Sequence, residues 1–267
     1  MLNMRRVLKP CVHRLIPGAR YKSNNNVVHM SRRNNEYEYF ESLRVTEYKL
    51  KNKYSIIPRN ETQKIYIDTL KTQFPSIVVA TGPAGSAKSY LAVSVGIECL
   101  VNKDFKKMVI TRPAVSVDEE MGFLPGSIDE KMEPWMRPLY DTFYKYYSVS
   151  EVKQMVSNKI IDICPIAYLR GRTLENSYII VDEAQNCTVN QMLMILTRIG
   201  SNSKMVITGD LTQHDRGFEI NGLGDFLERL NNYHANSYAS LDISHVQFND
   251  DDIERHPVIK DIMKLYK

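Results

Sequence analysis

Lys88 and Ser89 close the run Thr81-Gly82-Pro83-Ala84-Gly85-Ser86-Ala87-Lys88-Ser89, and Asp182 and Glu183 close the apolar run Tyr178-Ile179-Ile180-Val181. A lysine, a hydroxyl and two carboxylates are the minimum set for phosphoryl transfer, which needs charge neutralisation and positioning more than covalent chemistry. Gly82 and Gly85 let the backbone wrap a polyphosphate with its N–H groups turned inward, and Pro83, Ala84, Ser86 and Ala87 complete the wrap. Lys88 is spaced to reach β- and γ-phosphates, and Ser89 to ligate Mg²⁺. Asp182 would hold the same metal, while Glu183 would orient and deprotonate an attacking water. The loop departs from G-x-x-x-x-G-K-[ST] at Ala87, where a Cβ costs about 1–2 kcal/mol if the backbone is left-handed. A second polar strand end follows at Met205-Val206-Ile207-Thr208-Gly209-Asp210-Leu211-Thr212-Gln213. Gln213 there could contact the γ-phosphate or the attacking water, or the segment could be a plain turn capped by Asp210 or Thr212.

These groups need a scaffold that brings distant strand ends together. Thr62 to Gln73 reads as a helix with Ile65, Tyr66 and Leu70 on one face. Short apolar runs follow at 77–80, 108–110, 160–163, 178–181 and 205–207, each rich in Ile and Val and separated by helical stretches. Runs of that kind fit strands buried on both faces, and their alternation with helices predicts an α/β fold with a mainly parallel sheet flanked by helices. No internal repeat or linker divides residues 60–267, so one domain covering 55–267 is expected after a basic segment over 1–50.

The chain has 267 residues and a net charge of +4. Residues 1–34 carry eight basic groups and no acidic one, which leaves 27 of the 35 basic residues against all 31 acidic ones, a net −4. The basic character therefore belongs to the tail, and nucleic-acid contacts in the body must be argued from local motifs. The tail is Arg-rich and acid-free, which fits either a mitochondrial transit peptide or a solvated basic tail. The matching locations are the mitochondrial matrix or the cytoplasm. Cys11, Cys99, Cys164 and Cys187 form no CxxC pair, which argues against a zinc site and a disulfide framework. No apolar stretch approaches the roughly 20 residues of a membrane span, and no membrane partner is expected.

Beyond the two phosphate-site motifs, GPAGSAKS at 82–89, TRPAV at 111–115, GFLPG at 122–126, RPLYD at 137–141, AYLRGRTLENSYIIVDEAQN at 167–186 and LTRIGSNSKMVITGDLTQ at 196–213 resemble the PhoH family of ATPases. The resemblance runs from about Pro58 to the C-terminus. It implies a RecA-like P-loop NTPase core, ATP and Mg²⁺ as cofactors, a link to single-stranded RNA, and assembly into a homo-oligomeric ring such as a hexamer. By motif match, Gln63 would read the adenine edge through its amide. Arg255, before His256-Pro257, would stabilise transition-state charge, the alternative being a surface pairing with Asp250-Asp251-Asp252. Ala87 stands where the family has glycine, which bears on turnover. No nuclease domain follows the ATPase, so RNA cleavage is not implied.

Three arginines are candidates for nucleic acid. Arg112 follows a strand and would stand at the sheet's carboxyl edge, where ligands bind in open α/β sheets. Arg170 and Arg172 form a compact basic loop before the acidic strand. The aromatic cluster Trp135, Tyr140, Phe143, Tyr144, Tyr146 and Tyr147 beside Lys131, Arg137 and Lys145 reads as core first and as a stacking surface second. The functions in competition are an RNA-stimulated ATPase with helicase capacity, a slow-hydrolysing ATP-dependent RNA-binding switch, and a small-molecule kinase.

Overall fold

Six strands and six helices carry the described part of the chain, which in this computed structural model is residues 55–113, 128–213, 221–237, 239–254 and 258. The strands are β1 (Ile77–Thr81), β2 (Lys107–Thr111), β3 (Ile161–Ile163), β4 (Ser177–Val181), β5 (Lys204–Gly209) and β6 (Ile243–Gln247). The helices are α1 (Glu61–Lys71), α2 (Lys88–Val101), α3 (Ile128–Tyr146), α4 (Val149–Ser157), α5 (Val189–Leu196) and α6 (Gly222–Asn236). All strand pairs are parallel, in the order β3-β2-β4-β5-β1-β6.

Each strand feeds two cores because successive side chains point to opposite faces. Val78, Ala80, Met108, Ile110, Tyr178, Ile180 and Val206 meet Leu91, Val95, Leu139 and Phe143 of α2 and α3 on one side. Val79, Val109, Ile179, Val181, Met205 and Ile207 meet Leu223, Leu227 and Leu230 of α6 and Met192 and Ile195 of α5 on the other. The central strands are thus apolar at nearly every position, as a two-sided sheet requires. This is an α/β architecture, a parallel sheet flanked by helices, as expected.

The differences from the sequence reading lie at the edges. Helix α1 starts at Glu61 because the Asn60 side chain accepts the Gln63 N–H at 2.8 Å, and it stops at Lys71 because Thr72 is already extended. Strands β2, β4 and β5 run one to three residues beyond their apolar cores. Strand β6 (Ile-Ser-His-Val-Gln) was not anticipated. Among the described residues it pairs with β1 alone, at the sheet's edge, and it carries Ser244, His245 and Gln247, so it lacks the apolar run that marks its neighbours. Lys204 opens β5 but is 2% exposed, its Nζ donating to Thr72 O at 2.7 Å and Pro75 O at 2.8 Å. Burial pulls its pKa down to about 8.

Phe143, Tyr146 and Tyr147 are core residues, and Tyr140 and Tyr144 stack half-buried beside them at 6.1 Å. The side chains of Lys131 and Trp135 lie outside the described residues, as do residues 1–54. Cys99, Cys164 and Cys187 are buried. Among the described residues no helix is long and apolar enough to cross a membrane.

Gly96 brings α2 down onto the sheet: a Cβ there would stand 2.8 Å from the Tyr178 ring and 2.5 Å from Met108 Cε. Alanine is the better helix former by about 1 kcal/mol, but overpacking a tight core costs about 1–3 kcal/mol. Gly96→Ala is therefore expected to lower stability by roughly 1–2 kcal/mol, read as the urea midpoint. A raised midpoint would show the helix–sheet gap to be wider than described.

Candidate active site

Strands β1 and β4 are not neighbours; β5 separates them. Adjacent strands lie about 4.8 Å apart, so the tips of β1 and β4 stand about 10 Å apart with the β5 tip between them. The loop after β1 and the carboxylates after β4 therefore face each other across Thr208 and Gly209. The Gly82 N–H donates to Gly209 O at 3.2 Å, and the Phe248 N–H to Thr81 O at 2.7 Å, so the tip of β1 is held from both sides.

The loop 82–87 has the backbone its residue types suggest. Gly82 has φ 142°, and a Cβ on it would stand 2.4 Å from Phe248 O. Gly85 has φ 91°. Ala87 is left-handed, φ 70° and ψ 16°, and sits at the N-terminus of α2. The strain anticipated at this alanine is thus present. Lys88 is 8% exposed, and its Nζ donates to Gly82 O at 2.7 Å, Pro83 O at 2.8 Å and Ser86 Oγ at 3.1 Å. The ammonium is cradled by the loop it closes. Ser86 Oγ in turn donates to Pro83 O at 2.9 Å.

Asp182 is 2% exposed. Its Oδ1 accepts from Ser89 Oγ and from Thr208 Oγ1, both at 2.6 Å, and its Oδ2 pairs with Arg112 at 3.2 Å. A buried carboxylate needs such partners, because an unpaired one costs several kcal/mol. Glu183 is left-handed, φ 53° and ψ 40°. Its Oε1 accepts from Arg112 at 3.0 Å and its Oε2 from Gln185 Nε2 at 2.7 Å. The Gln185 Oε1 accepts the Asp210 N–H at 3.0 Å. Gly209 leaves room for that amide, since a Cβ there would stand 3.0 Å from Oε1.

Gln185 was missed by the sequence reading; its signal was a polar amide two residues after Glu183 in a segment otherwise bound for burial. Gln213 stands exposed after the β5 turn, its N–H on Asp210 O at 3.2 Å. Among the described residues no hydrogen bond joins its side chain to the carboxylates. Asp210 Oδ1 caps that turn at the Thr212 N–H (3.0 Å) and hydroxyl (2.7 Å).

On the far side of the loop, Gln63 is 2% exposed. Its Oε1 accepts the Arg59 N–H at 3.0 Å, while Nε2 is buried with no hydrogen-bond partner among the described residues. Arg59 pairs with Glu254 at 3.2 Å, and the Glu254 N–H donates to Gly85 O at 3.1 Å. The start of α1, the phosphate loop and the chain after β6 are thus tied together, with an unsatisfied amide donor among them. A cavity of about 470 Å³ flanks the loop on the β6 side, but Asp210, Asp250 and Asp251 line it and would repel phosphate.

The three arginines are dispersed. Arg112 stands at the carboxyl end of β2 with its guanidinium on Asp182 and Glu183. Arg170 is exposed, and Arg172 pairs with Asp162 at 2.6 Å. Arg255, His256-Pro257 and the block 122–126 lie outside the described residues.

A family model described as PhoH-like protein matches residues 55–267. The PhoH-like protein of Bacillus subtilis (strain 168) is 41% identical over 235 residues, 87% of this chain and 70% of that one. The PhoH-like protein of Mycobacterium tuberculosis (strain ATCC 25618 / H37Rv) is 39% identical over 216 residues, 79% of this chain and 58% of that one. Protein PhoH of Escherichia coli (strain K12) is 41% identical over 179 residues, 66% of this chain and 50% of that one. The chain thus spans half to about two thirds of the length of these relatives. Pif1 helicase from Candida albicans overlaps 73% of this chain and 40% of its own at TM-score 0.35 and 12% identity, too loosely to bear on function.

Ala87→Gly relieves a left-handed Cβ worth about 1–2 kcal/mol and gives back about 0.4–1 kcal/mol in unfolded-chain freedom. The expected net is a gain of roughly 0.5–1 kcal/mol, read as a higher urea midpoint. A lower midpoint would contradict the left-handed backbone at this position.

Proposed function

The chain belongs to the PhoH-like protein family of ATP-binding P-loop NTPases, and from that premise we propose that it hydrolyses ATP with Mg²⁺ and couples hydrolysis to single-stranded RNA as a homo-oligomer. The observation that carries this reading is the pair of 2.6 Å contacts on Asp182 Oδ1. They bring the hydroxyl that follows Lys88 onto the carboxylate that precedes Glu183.

Mg²⁺ suits this corner. It prefers hard oxygen ligands and takes only one or two from protein, the rest coming from phosphates and water. Ser89 Oγ and Asp182 Oδ1, already in contact, are such a pair. The bound ion would neutralise charge developing on the phosphates. Lys88 would exchange the carbonyls of Gly82 and Pro83 for β- and γ-phosphate oxygens. The N–H groups of 84–88 and the start of α2 would hold the remaining phosphate charge. The unsatisfied Gln63 Nε2 would meet the adenine edge.

Glu183 is the general base of this proposal. Gln185 holds one of its oxygens and Arg112 the other, so its carboxylate has a fixed direction. Arg112 makes the strand-dependent step concrete. A phosphodiester on the carboxyl edge would compete with Asp182 and Glu183 for its guanidinium, and its departure would free Glu183 to take the proton of the attacking water. Gln213 as phosphate sensor, Arg255 as charge stabiliser, and Arg170 and Arg172 as strand contacts belong to the same proposal. A single domain offers one wall of such a site, so a neighbouring subunit would complete it in a ring.

A second reading, an ATP-dependent RNA-binding switch with slow turnover, is favoured by one observation: the left-handed Ala87 strains the loop that must wrap the phosphates.

The deciding measurement is steady-state ATP hydrolysis with and without single-stranded RNA. Glu183→Gln is expected to keep ATP affinity and lower kcat by about 10²–10⁴-fold. Tight ATP binding with negligible wild-type turnover would favour the switch. Lys88→Ala should lose ATP binding, and wild-type affinity in that variant would remove the assigned site. Arg112→Ala should bring the ratio of RNA-stimulated to basal rate close to one. A ratio equal to the wild-type value would show that Arg112 does not link strand and site.

A further inference from the structure

Away from the phosphate loop, a cavity of about 670 Å³ runs along β3, the edge strand opposite β6. Its charged lining is Lys107, Lys159, Arg172 and Asp162, three cations against one carboxylate. Arg172 and Asp162 satisfy each other at 2.6 Å. Among the described residues, the side chains of Lys107 and Lys159 have no hydrogen bond or ion pair, although Lys107 is half-buried beside Arg172. Burial and the Arg172 charge both push the Lys107 pKa down, and Asp162, already paired with Arg172, offsets this only in part.

The cavity also holds an aromatic. Tyr168, in the short helical turn Ile166–Leu169, is 53% exposed, and the exposed Arg170 follows that turn. Catalytic chemistry is absent from the lining. The Cys164 thiol is pushed up to about 11 by burial and by Asp162, so it stays protonated, and no metal-ligand cluster occurs among the described residues. An open aromatic ring beside uncompensated cations suits a base stacked on a planar face with its backbone phosphate on the lysines. A free mononucleotide would be expected to sit in a site that buries the ring more fully.

We propose that this edge cavity is a subsite for single-stranded RNA, with Lys107 and Lys159 taking a backbone phosphate and Tyr168 stacking a base. The proposal rests on the RNA partner of the function above, but not on hydrolysis. It places part of the strand's footprint on the sheet edge beyond Arg172, on Lys107 and Lys159, which no motif singled out, and on Tyr168, to which the block 167–186 gave no role.

The test is fluorescence anisotropy of a labelled oligouridylate titrated with the full chain, at several salt concentrations. For Lys107→Ala/Lys159→Ala, affinity is expected to fall at least tenfold. The slope of log K against log salt should flatten by about 0.7 per phosphate contact removed. Tyr168→Ala should weaken binding about tenfold, and Tyr168→Phe should not. Lys159 is exposed, so Lys159→Ala alone keeps the test decisive if loss of Lys107 disturbs folding. Binding of a fluorescent ATP analogue should be unchanged in all four.

Wild-type affinity and salt slope in the lysine variants would overturn the subsite while leaving RNA coupling intact. An oligouridylate that does not bind the wild type would overturn both. RNA binding that depends on these residues, with no effect of RNA on hydrolysis, would sustain the subsite and sink the coupling. Displacement of the oligonucleotide by uridine monophosphate or polyglutamate at equal phosphate or carboxylate concentration would overturn the subsite as a strand site.

Discussion

One carboxylate oxygen holds the candidate site together. Asp182 Oδ1 receives a hydroxyl from the first turn of α2 and another from the end of β5, both at 2.6 Å. Asp182 is almost wholly buried, so both bonds matter: without them Oδ1 would stand unsatisfied in the protein interior, and only the Arg112 guanidinium on Oδ2 would compensate the charge. The constraint reaches backward into the fold. Ser89, Thr208 and Asp182 can meet only if β1, β5 and β4 end at the same edge of the sheet in that spatial order, and a parallel sheet delivers that alignment at every strand.

Two of the six non-glycine residues with positive φ among the described residues stand at the same place. Ala87 and Glu183 are both non-glycine residues in the left-handed region, one at the closing end of the phosphate loop and one at the tip of β4. Each such residue costs about 1–3 kcal/mol and persists only where its surroundings over-determine it. For Glu183 those surroundings are Arg112 on one oxygen and Gln185 on the other, with Gln185 itself anchored on the backbone of Asp210. For Ala87 they are the ammonium bridge of Lys88 to the loop carbonyls and the Glu254 N–H on Gly85. These two strained residues stand where a phosphate and a water would have to approach.

Charge is arranged locally rather than globally. The chain beyond residue 34 is net acidic, yet cations gather at two separate places on the sheet. Arg112 is consumed by the carboxylates of the site. Lys107 and Lys159 on the β3 edge have no such partner among the described residues, and Arg172 has only Asp162. A net-charge argument would miss this difference, because what distinguishes the two groups is their neighbours.

The residues alone determined the two strand-end motifs, the alternation of strands and helices, and the parallel sheet. Those features are local: a phosphate loop is set by glycines and a lysine within nine residues, and a two-sided strand by an unbroken apolar run. Strand β6 escaped because an edge strand with one open side keeps Ser244, His245 and Gln247 and shows no such run. Gln185, the Lys204 anchor, the pairing of Arg112 with Asp182 and Glu183, and the link from Gln63 through Arg59 and Glu254 to Gly85 were decided by tertiary structure. Each joins residues whose proximity depends on strand order, and the order β3-β2-β4-β5-β1-β6 is set by how both cores close over the sheet, which no short stretch of the chain encodes.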